Sequence, residues 1–193
     1  MRTRRQPPSG HRRIDDTAAD QLARRAAGGD QRAFSTLCEG LLDDIWRYCW
    51  SLTGDRHLAD EATQETFARA TTAISRYRGD APVRLWFVVL ARRSVGHAIE
   101  HHRRAPEPAT PEHLPHADRT AAVELTELIE ALTPEMREPL ILTQVLGFSY
   151  ADAAAALDVP IGTIRSRVFR ARATLVESWT DADTDITARE VAE

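Results

Sequence analysis

With 193 residues, 42% of them apolar and 28% charged, the chain can build one large or two small domains with real cores, and this balance fits neither a wholly disordered chain nor a membrane-embedded one. A uniform net charge of −4 would argue against a nucleic-acid partner, but the charge is segregated: acidic over Glu39–Glu65, basic over Arg84–Arg104, acidic over Glu107–Asp118 and again from Asp181. All 25 basic residues are arginine, so placement rather than number carries the argument.

Residues 1–16 hold clustered arginines, prolines and a glycine without periodicity, which predicts a disordered basic N-terminal arm. A helical domain over 17–104 follows. In it Phe34, Leu37, Cys38, Leu41, Ile45, Cys49 and Leu52 recur at three- and four-residue steps as one apolar stripe. Gly54 ends that helix and Asp55 is placed to cap the next. The next helix, His57 to about Ile74, is expected to bury Leu58, Ala62, Ala70 and Ile74 and to turn Asp60, Glu61, Gln64 and Glu65 outward. Arg76–Ala81 (RYRGDA) reads as a loop. Pro82 suits the first turn of a third helix, VRLWFVVLARRSVGHAIEHHRR, whose side bearing Trp86, Val89, Leu90 and Arg93 is too apolar to face solvent throughout. Cys38 and Cys49, about 16 Å apart along one helix, cannot form a disulfide with each other and read as core thiols.

Residues 105–118 contain four prolines (APEPATPEHLPH and its flank) and no apolar period, the composition of an extended linker. A second helical domain is expected over 119–179, with an acidic tail over 180–193. Its first helix runs from near Arg119 to Leu132. Thr133 and Pro134 then supply a cap and a first-turn proline for a helix to Leu146, kinked at Pro139, which deletes a backbone hydrogen bond. No segment alternates at period two. The expected fold class is therefore all-α, two small helical domains joined by a flexible linker.

The stretch Phe148–Leu175, FSYADAAAALDVPIGTIRSRVFRARATL, reads as a helix-turn-helix. Ser149 and Asp152 form the Ser-x-x-acid cap of its first helix, whose stripe is Tyr150, Ala153, Ala154 and Leu157. Asp158, Val159 and Pro160 interrupt the period, aspartate being tolerant of a left-handed turn. From about Gly162 or Thr163 a second helix turns Ile164, Val168, Ala171 and Leu175 inward. Ser166, Phe169 and Arg170 lie opposite, flanked by Arg165 and Arg172 on one side and Arg167 on the other. No acid occurs between Pro160 and Val176. That face therefore offers fork-shaped donors to phosphates or guanine edges, and Phe169 to a thymine methyl.

Three segments, HLADEATQETFARA (His57–Ala70), LWFVVLARR (Leu85–Arg93) and ALTPEMREPLILTQVLGFSYADAAAALDVPIGTIRSRVFRAR (Ala131–Arg172), occur in an order that resembles bacterial RNA polymerase sigma factors of the extracytoplasmic-function group. The resemblance spans about Phe34 to Leu175 and implies a promoter-specificity subunit without chemistry or cofactors of its own. It implies that residues 17–104 correspond to sigma region 2 and 119–179 to sigma region 4. Asp60, Glu61, Gln64 and Glu65 would dock on the β′ coiled-coil of core RNA polymerase, and the second domain on the β flap. Arg76, Arg78, Trp86, Arg92 and Arg93 would bind the minus-ten element during melting. For Trp86, base stacking competes with plain core packing; of Arg92 and Arg93, one can face DNA while the other packs its stem inward. Arg165, Ser166, Phe169 and Arg170, completed by Thr163 and Arg167, would read the minus-thirty-five element of promoter DNA. The linker acids Glu107, Glu112 and Asp118 would thread the polymerase cleft, and an anti-sigma factor is a further implied partner. Asp158 stands where the family usually has glycine, and Arg93 and His97 where it often has asparagine and aspartate.

Two rival readings belong to other classes. A free-standing helix-turn-helix regulator would dimerise and bind duplex DNA unaided, and nothing in the sequence looks like a dimerisation helix. A metal protein could use His97 and His101, one turn apart beside Glu100 and His102, but the His-Glu-x-x-His order and a placed third ligand are missing. No Gly-rich phosphate loop, nucleophile elbow or paired catalytic carboxylates occur, so neither an enzyme nor a metal site is expected. No segment approaches the roughly 20 apolar residues of a membrane span, and no hydrophobic run of signal-peptide length follows the first arginines; the expected location is the cytoplasm.

Overall fold

The computed structural model describes residues 14–104, 128–129 and 131–190, with side-chain surroundings as far as Trp179. Most of the expected basic arm, the linker with its acids, and the helix expected from Arg119 lie outside the described residues. Among the described residues every regular element is helical, and no helix is long and apolar enough to cross a membrane. They fall into two compact units, one up to Ile99 (Ser51–Gly54 apart) and one from Glu100 on.

The first unit opens with α1 (Asp16–Ala27), capped by the Asp15 carboxylate, which accepts from the Ala18 amide at 2.9 Å. Ala19, Ala23 and Ala26 are buried, so small side chains let α1 lie close to its neighbours. Ile14 and Asp15, expected in a disordered arm, instead belong to the fold: Ile14 lies over Gly40, where an added Cβ would come within 3.0 Å of it. Gly29, at φ 95°, turns the chain. Asp30 then caps α2 (Gln31–Thr53) through the Ala33 amide at 3.0 Å. This break at Gly28–Asp30 has no counterpart in the sequence reading.

α2 buries Leu37, Leu41, Ile45, Tyr48 and Cys49. Burial pushes both thiols, Cys38 and Cys49, up to about 11, so they stay protonated, as core thiols should. Gly54 ends α2 at φ 62°, and Asp55 caps α3 (Arg56–Ala73) through the Leu58 amide at 2.9 Å, as its position predicted. Leu58, Ala62, Ala70 and Ile74 are all buried, joined by Ala59, Thr63 and Thr66, which the apolar stripe did not include. A short 3₁₀ turn, Ile74–Arg76, leads into the loop before α4 (Val83–Arg104).

One face of α4 differs from expectation. The buried side carries Arg84, Phe87, Val88, Ala91, Ser94, Val95 and Ala98, whereas Trp86, Val89 and Leu90 are half-buried and Arg93 is exposed. Hydrophobicity alone favoured the Trp86 side. Close helix packing favours the side with the small residues Ala91, Ser94 and Ala98, which let neighbouring backbones approach.

In the second unit, Pro134 starts α5 (Pro134–Leu140) with Thr133 in the N-cap position. In place of a simple kink at Pro139, α5 widens into a π turn over Ile141–Val145, closed by the Leu146 amide on the Ile141 carbonyl at 2.9 Å. Gly147, at φ 75°, ends it. α6 (Tyr150–Leu157) and α7 (Ile161–Glu190) follow. α7 runs as helix well beyond Trp179, so the chain does not leave its helix where the acidic tail was expected to begin.

Candidate nucleic-acid interface

The helix-turn-helix is locally determined. The Ser149 hydroxyl accepts from the Asp152 amide at 3.0 Å while the Asp152 carboxylate accepts from the Ser149 amide at 3.3 Å, closing a capping box on α6. Ala153, Ala156 and Leu157 are buried; Tyr150 and Ala154 are half-buried. Asp158 takes φ 54° and ψ 50°, the left-handed conformation its position called for. The Pro160 carbonyl then receives the amides of Thr163 and Ile164, and α7 begins at Ile161, one or two residues before the expected Gly162 or Thr163.

On α7, Ile164, Val168 and Ala171 are buried and Leu175 is half-buried. The opposite face holds Arg165, Ser166, Phe169 and Arg170, all exposed. Phe169 is 74% exposed, a large ring in water beside arginines, and an apolar group so placed suits a partner more than a core. The Ser166 hydroxyl donates to the Thr163 carbonyl at 3.0 Å, and Arg170 Nε donates to the Ser166 carbonyl at 3.4 Å. Thr163 is half-buried. Arg167 differs from the other candidates: its guanidinium lies 3.5 Å from the Glu135 carboxylate on α5 and its side chain is 21% exposed. Arg172 is similarly engaged, donating to the Gln144 side chain.

In the first unit, Arg76, Arg78, Arg92 and Arg93 are all exposed. Trp86 is half-buried. Its ring meets Tyr77 edge-on with centroids 6.0 Å apart and Phe87 at 5.1 Å, and Phe87 in turn meets Phe67 at 5.4 Å. Trp86 is thus part of an aromatic row while remaining partly exposed.

The α3 acids form a third surface. Asp60, Gln64 and Glu65 are exposed and Glu61 half-buried. Two of them are held in place: Trp46 Nε1 donates to the Asp60 carboxylate at 2.6 Å, and Arg69 bonds Glu65 at 2.6 Å. Arg69 also reaches His97 Nδ1 at 2.7 Å. That contact gives His97 a structural partner, and among the described residues no cluster of three His, Cys, Asp or Glu could hold a metal ion.

Sequence reasoning did not single out three organising residues. Trp46 was outside the apolar stripe of α2. Asp20 sits in a helix that the sequence did not delimit. Arg84 was counted in a basic stretch, yet it is buried between two acids; the only signal was one arginine at the start of an apolar run.

The family model for Sigma-70 region 2 matches residues 37–105, and that for Sigma-70, region 4 matches residues 122–175. The chain is 45% identical over 179 residues to the ECF RNA polymerase sigma factor SigC of Mycobacterium tuberculosis, an alignment covering 89% of this chain and 95% of that protein. Among solved structures, CnrH in complex with the cytosolic domain of CnrY matches with a TM-score of 0.67 at 26% identity, covering 86% of this chain and 99% of that one. The sigma factor RpoE of Bartonella quintana, in complex with the anti-sigma factor NepR, matches with a TM-score of 0.59 at 25% identity, covering 75% and 94%.

Proposed function

This chain belongs to the extracytoplasmic-function group of sigma-70 RNA polymerase sigma factors, promoter-specificity subunits that direct transcription initiation, and on that premise we propose which of its residues meet the promoter and which the polymerase. Arg165, Ser166, Phe169 and Arg170 read the minus-thirty-five element in the major groove. The observation that carries this reading is their joint exposure on the face of α7 opposite Ile164, Val168 and Ala171. Arginine forks suit guanine edges and phosphates, and the Phe169 ring suits a thymine methyl. Thr163 and Arg167 flank that face and contribute at its margin.

The loop Arg76–Ala81 with Trp86, Arg92 and Arg93 engages the minus-ten element. Melting unstacks bases at a cost of a few kcal/mol, and a pocket beside an aromatic ring that accepts a flipped base offsets part of it, while neighbouring arginines hold the strand. Asp60, Glu61, Gln64 and Glu65 form the acidic face toward the β′ coiled-coil of the polymerase core, complementary to a basic partner. The second unit meets the β flap. Residues 105–118 act as the linker. Because the similar sigma factor RpoE was solved with the anti-sigma factor NepR, and CnrH with the cytosolic domain of CnrY, an anti-sigma factor is assigned as a further partner.

Alone, the chain binds duplex DNA poorly at physiological salt. If α7 neutralises about four phosphates, raising salt from about 50 to 200 mM weakens duplex binding roughly a hundredfold, and a net charge of −4 weakens it further. Tethering both units to one enzyme supplies the effective concentration that each lacks alone. Run-off transcription on fragmented genomic DNA, with core polymerase and with or without the protein, tests the assignment. Transcripts that appear only with the protein, and disappear when Arg165 and Arg170 are changed together to alanine, support it. A protein that shifts duplex DNA unaided at physiological salt and leaves transcription unchanged would be a free-standing regulator instead.

A further inference from the structure

Three polar side chains of α1, spaced four residues apart, converge on the loop before α4 and on the start of α4. Asp16 bonds the Arg84 guanidinium at 2.8 Å. Asp20 accepts the Val83 amide at 2.7 Å with the same carboxylate oxygen that lies 3.2 Å from the Tyr77 hydroxyl. Arg24 lies across Gly79, where an added Cβ would come within 3.4 Å of its Nε. Residues at i, i+4 and i+8 share one helix face, so a single stripe of α1 reaches three consecutive points of the segment.

Each contact fixes something the chain could not fix for itself. Pro82 precedes α4, and the Val83 amide is one of the donors that a helix start leaves without an intrahelical partner; Asp20 supplies that partner from another helix, a carboxylate where the helix dipole favours one. The Tyr77 hydroxyl lies 2.8 Å from the Ala81 carbonyl, so its single proton is shared between the loop's own far end and Asp20. Burial and the neighbouring Asp20 charge push the Tyr77 phenol up to about 12, which keeps that proton in place across physiological pH. Gly79 holds φ 79°, a conformation only glycine adopts without strain, under the Arg24 side chain.

We propose that Asp20, supported by Arg24 and Asp16, is a positioning residue for minus-ten recognition: α1 is a brace that holds the Arg76–Ala81 loop and Trp86 in the geometry that receives an unstacked base. The matched region 2 segment begins at Leu37, so α1 lies outside it. The inference rests on the reading of this loop as the minus-ten contact. A loop anchored at both ends by one carboxylate loses less conformational freedom when a base enters, and preorganisation of this kind appears as discrimination between bases rather than as overall stability.

The test uses the full chain with core polymerase on a promoter and on its single-base minus-ten substitutions. It scores open complex by thymine reactivity, with polymerase affinity and thermal stability measured in parallel. Asp20→Ala and Tyr77→Phe are each expected to reduce the preference for the best minus-ten sequence, by roughly ten- to a hundredfold for Asp20→Ala and less for Tyr77→Phe, with polymerase affinity unchanged. Tyr77→Phe removes one hydroxyl and keeps the ring, so it serves if Asp20→Ala does not fold. Undiminished preference in the folded variants, or a loss explained wholly by weaker polymerase binding, would overturn the proposal. Arg78→Ala and Trp86→Ala separate the two levels. If they alter minus-ten preference while the Asp20 and Tyr77 variants do not, only the brace fails; if they leave it untouched, the reading of the loop fails and the brace with it.

Discussion

Arg84 and Asp44 form an ion pair at 2.9 Å with both side chains largely out of water, 7% and 13% exposed, and the same guanidinium reaches Asp16 at 2.8 Å. One arginine of α4 thus ties α2, through the buried Asp44, to α1, through the Asp16 carboxylate at the surface. Removing one member of a buried pair leaves an uncompensated charge, so Arg84→Ala is expected to destabilise this unit by about 3–5 kcal/mol. Asp44→Asn should cost less, because an amide oxygen still accepts a hydrogen bond. Chemical denaturation of the purified chain measures both, and a loss under about 1 kcal/mol for Arg84→Ala would show that water reaches the pair.

The turn of the helix-turn-helix gives a second prediction. Asp158 is exposed and holds φ 54°, so its side chain packs against little and its backbone conformation decides the effect of a substitution. A β-branched residue there meets the left-handed penalty of about 1–2 kcal/mol. Asp158→Val should therefore destabilise the second unit by about that amount, and Asp158→Gly should fall within about 0.5 kcal/mol of the parent, since strain relief offsets the extra freedom of the unfolded chain. Equal melting curves for the valine and glycine variants would contradict this account.

Alkaline titration reads the Tyr77 anchor. Its phenol is raised to about 12 by burial first and by Asp20 next, whereas the unfolded chain titrates near 10. A raised folded pKa means that the folded state holds its proton longer. The contribution to stability is therefore fully present below about pH 10 and is lost as pH rises through about 12. Of the three tyrosines, Tyr77 should ionise late in the phenolate absorbance titration, and Tyr77→Phe should lower the amplitude of the late step by one phenol, with any remainder belonging to the buried Tyr48. In Asp20→Asn the step should move to lower pH, because the neighbouring charge is gone.

Much of the fold was legible because local rules and tertiary packing agree. Ser149, Asp152 and Asp55 cap the helices they were placed to cap, and Ile164, Val168 and Ala171 face inward as their spacing required. What stayed hidden depends on partners distant in sequence. Arg84 reads as one more basic residue until Asp16 and Asp44, far away along the chain, are brought beside it. The orientation of α4 was misread because the apolar residues divide between two sides and only close packing chooses between them. At the interface, Arg165, Phe169 and Arg170 were correctly placed outward by period alone. Arg167 was placed on a flank of that face by its period, but its ion pair was not legible, because the acid it meets, Glu135, belongs to another helix.

That difference between neighbours on α7 is itself testable. Arg165 and Arg167 are two residues apart and both arginine, but Arg165 is exposed while the Arg167 guanidinium lies 3.5 Å from Glu135. If Arg165 reads a base edge, Arg165→Ala costs about 1–3 kcal/mol at one base pair of the minus-thirty-five element and relaxes preference there. Arg167→Ala removes a partly exposed ion pair of about 0–1 kcal/mol and should weaken promoter binding slightly and evenly across sequences. Phe169→Ala should lose discrimination at thymine positions with little change in salt dependence, since the ring carries no charge. Binding by the reconstituted polymerase to a panel of single-substitution minus-thirty-five sequences, at two salt concentrations, distinguishes the three. A uniform loss for Arg165→Ala with a shallower salt slope would make Arg165 a phosphate clamp, and base-specific loss for Arg167→Ala would mean that the Glu135 contact is surrendered when DNA binds.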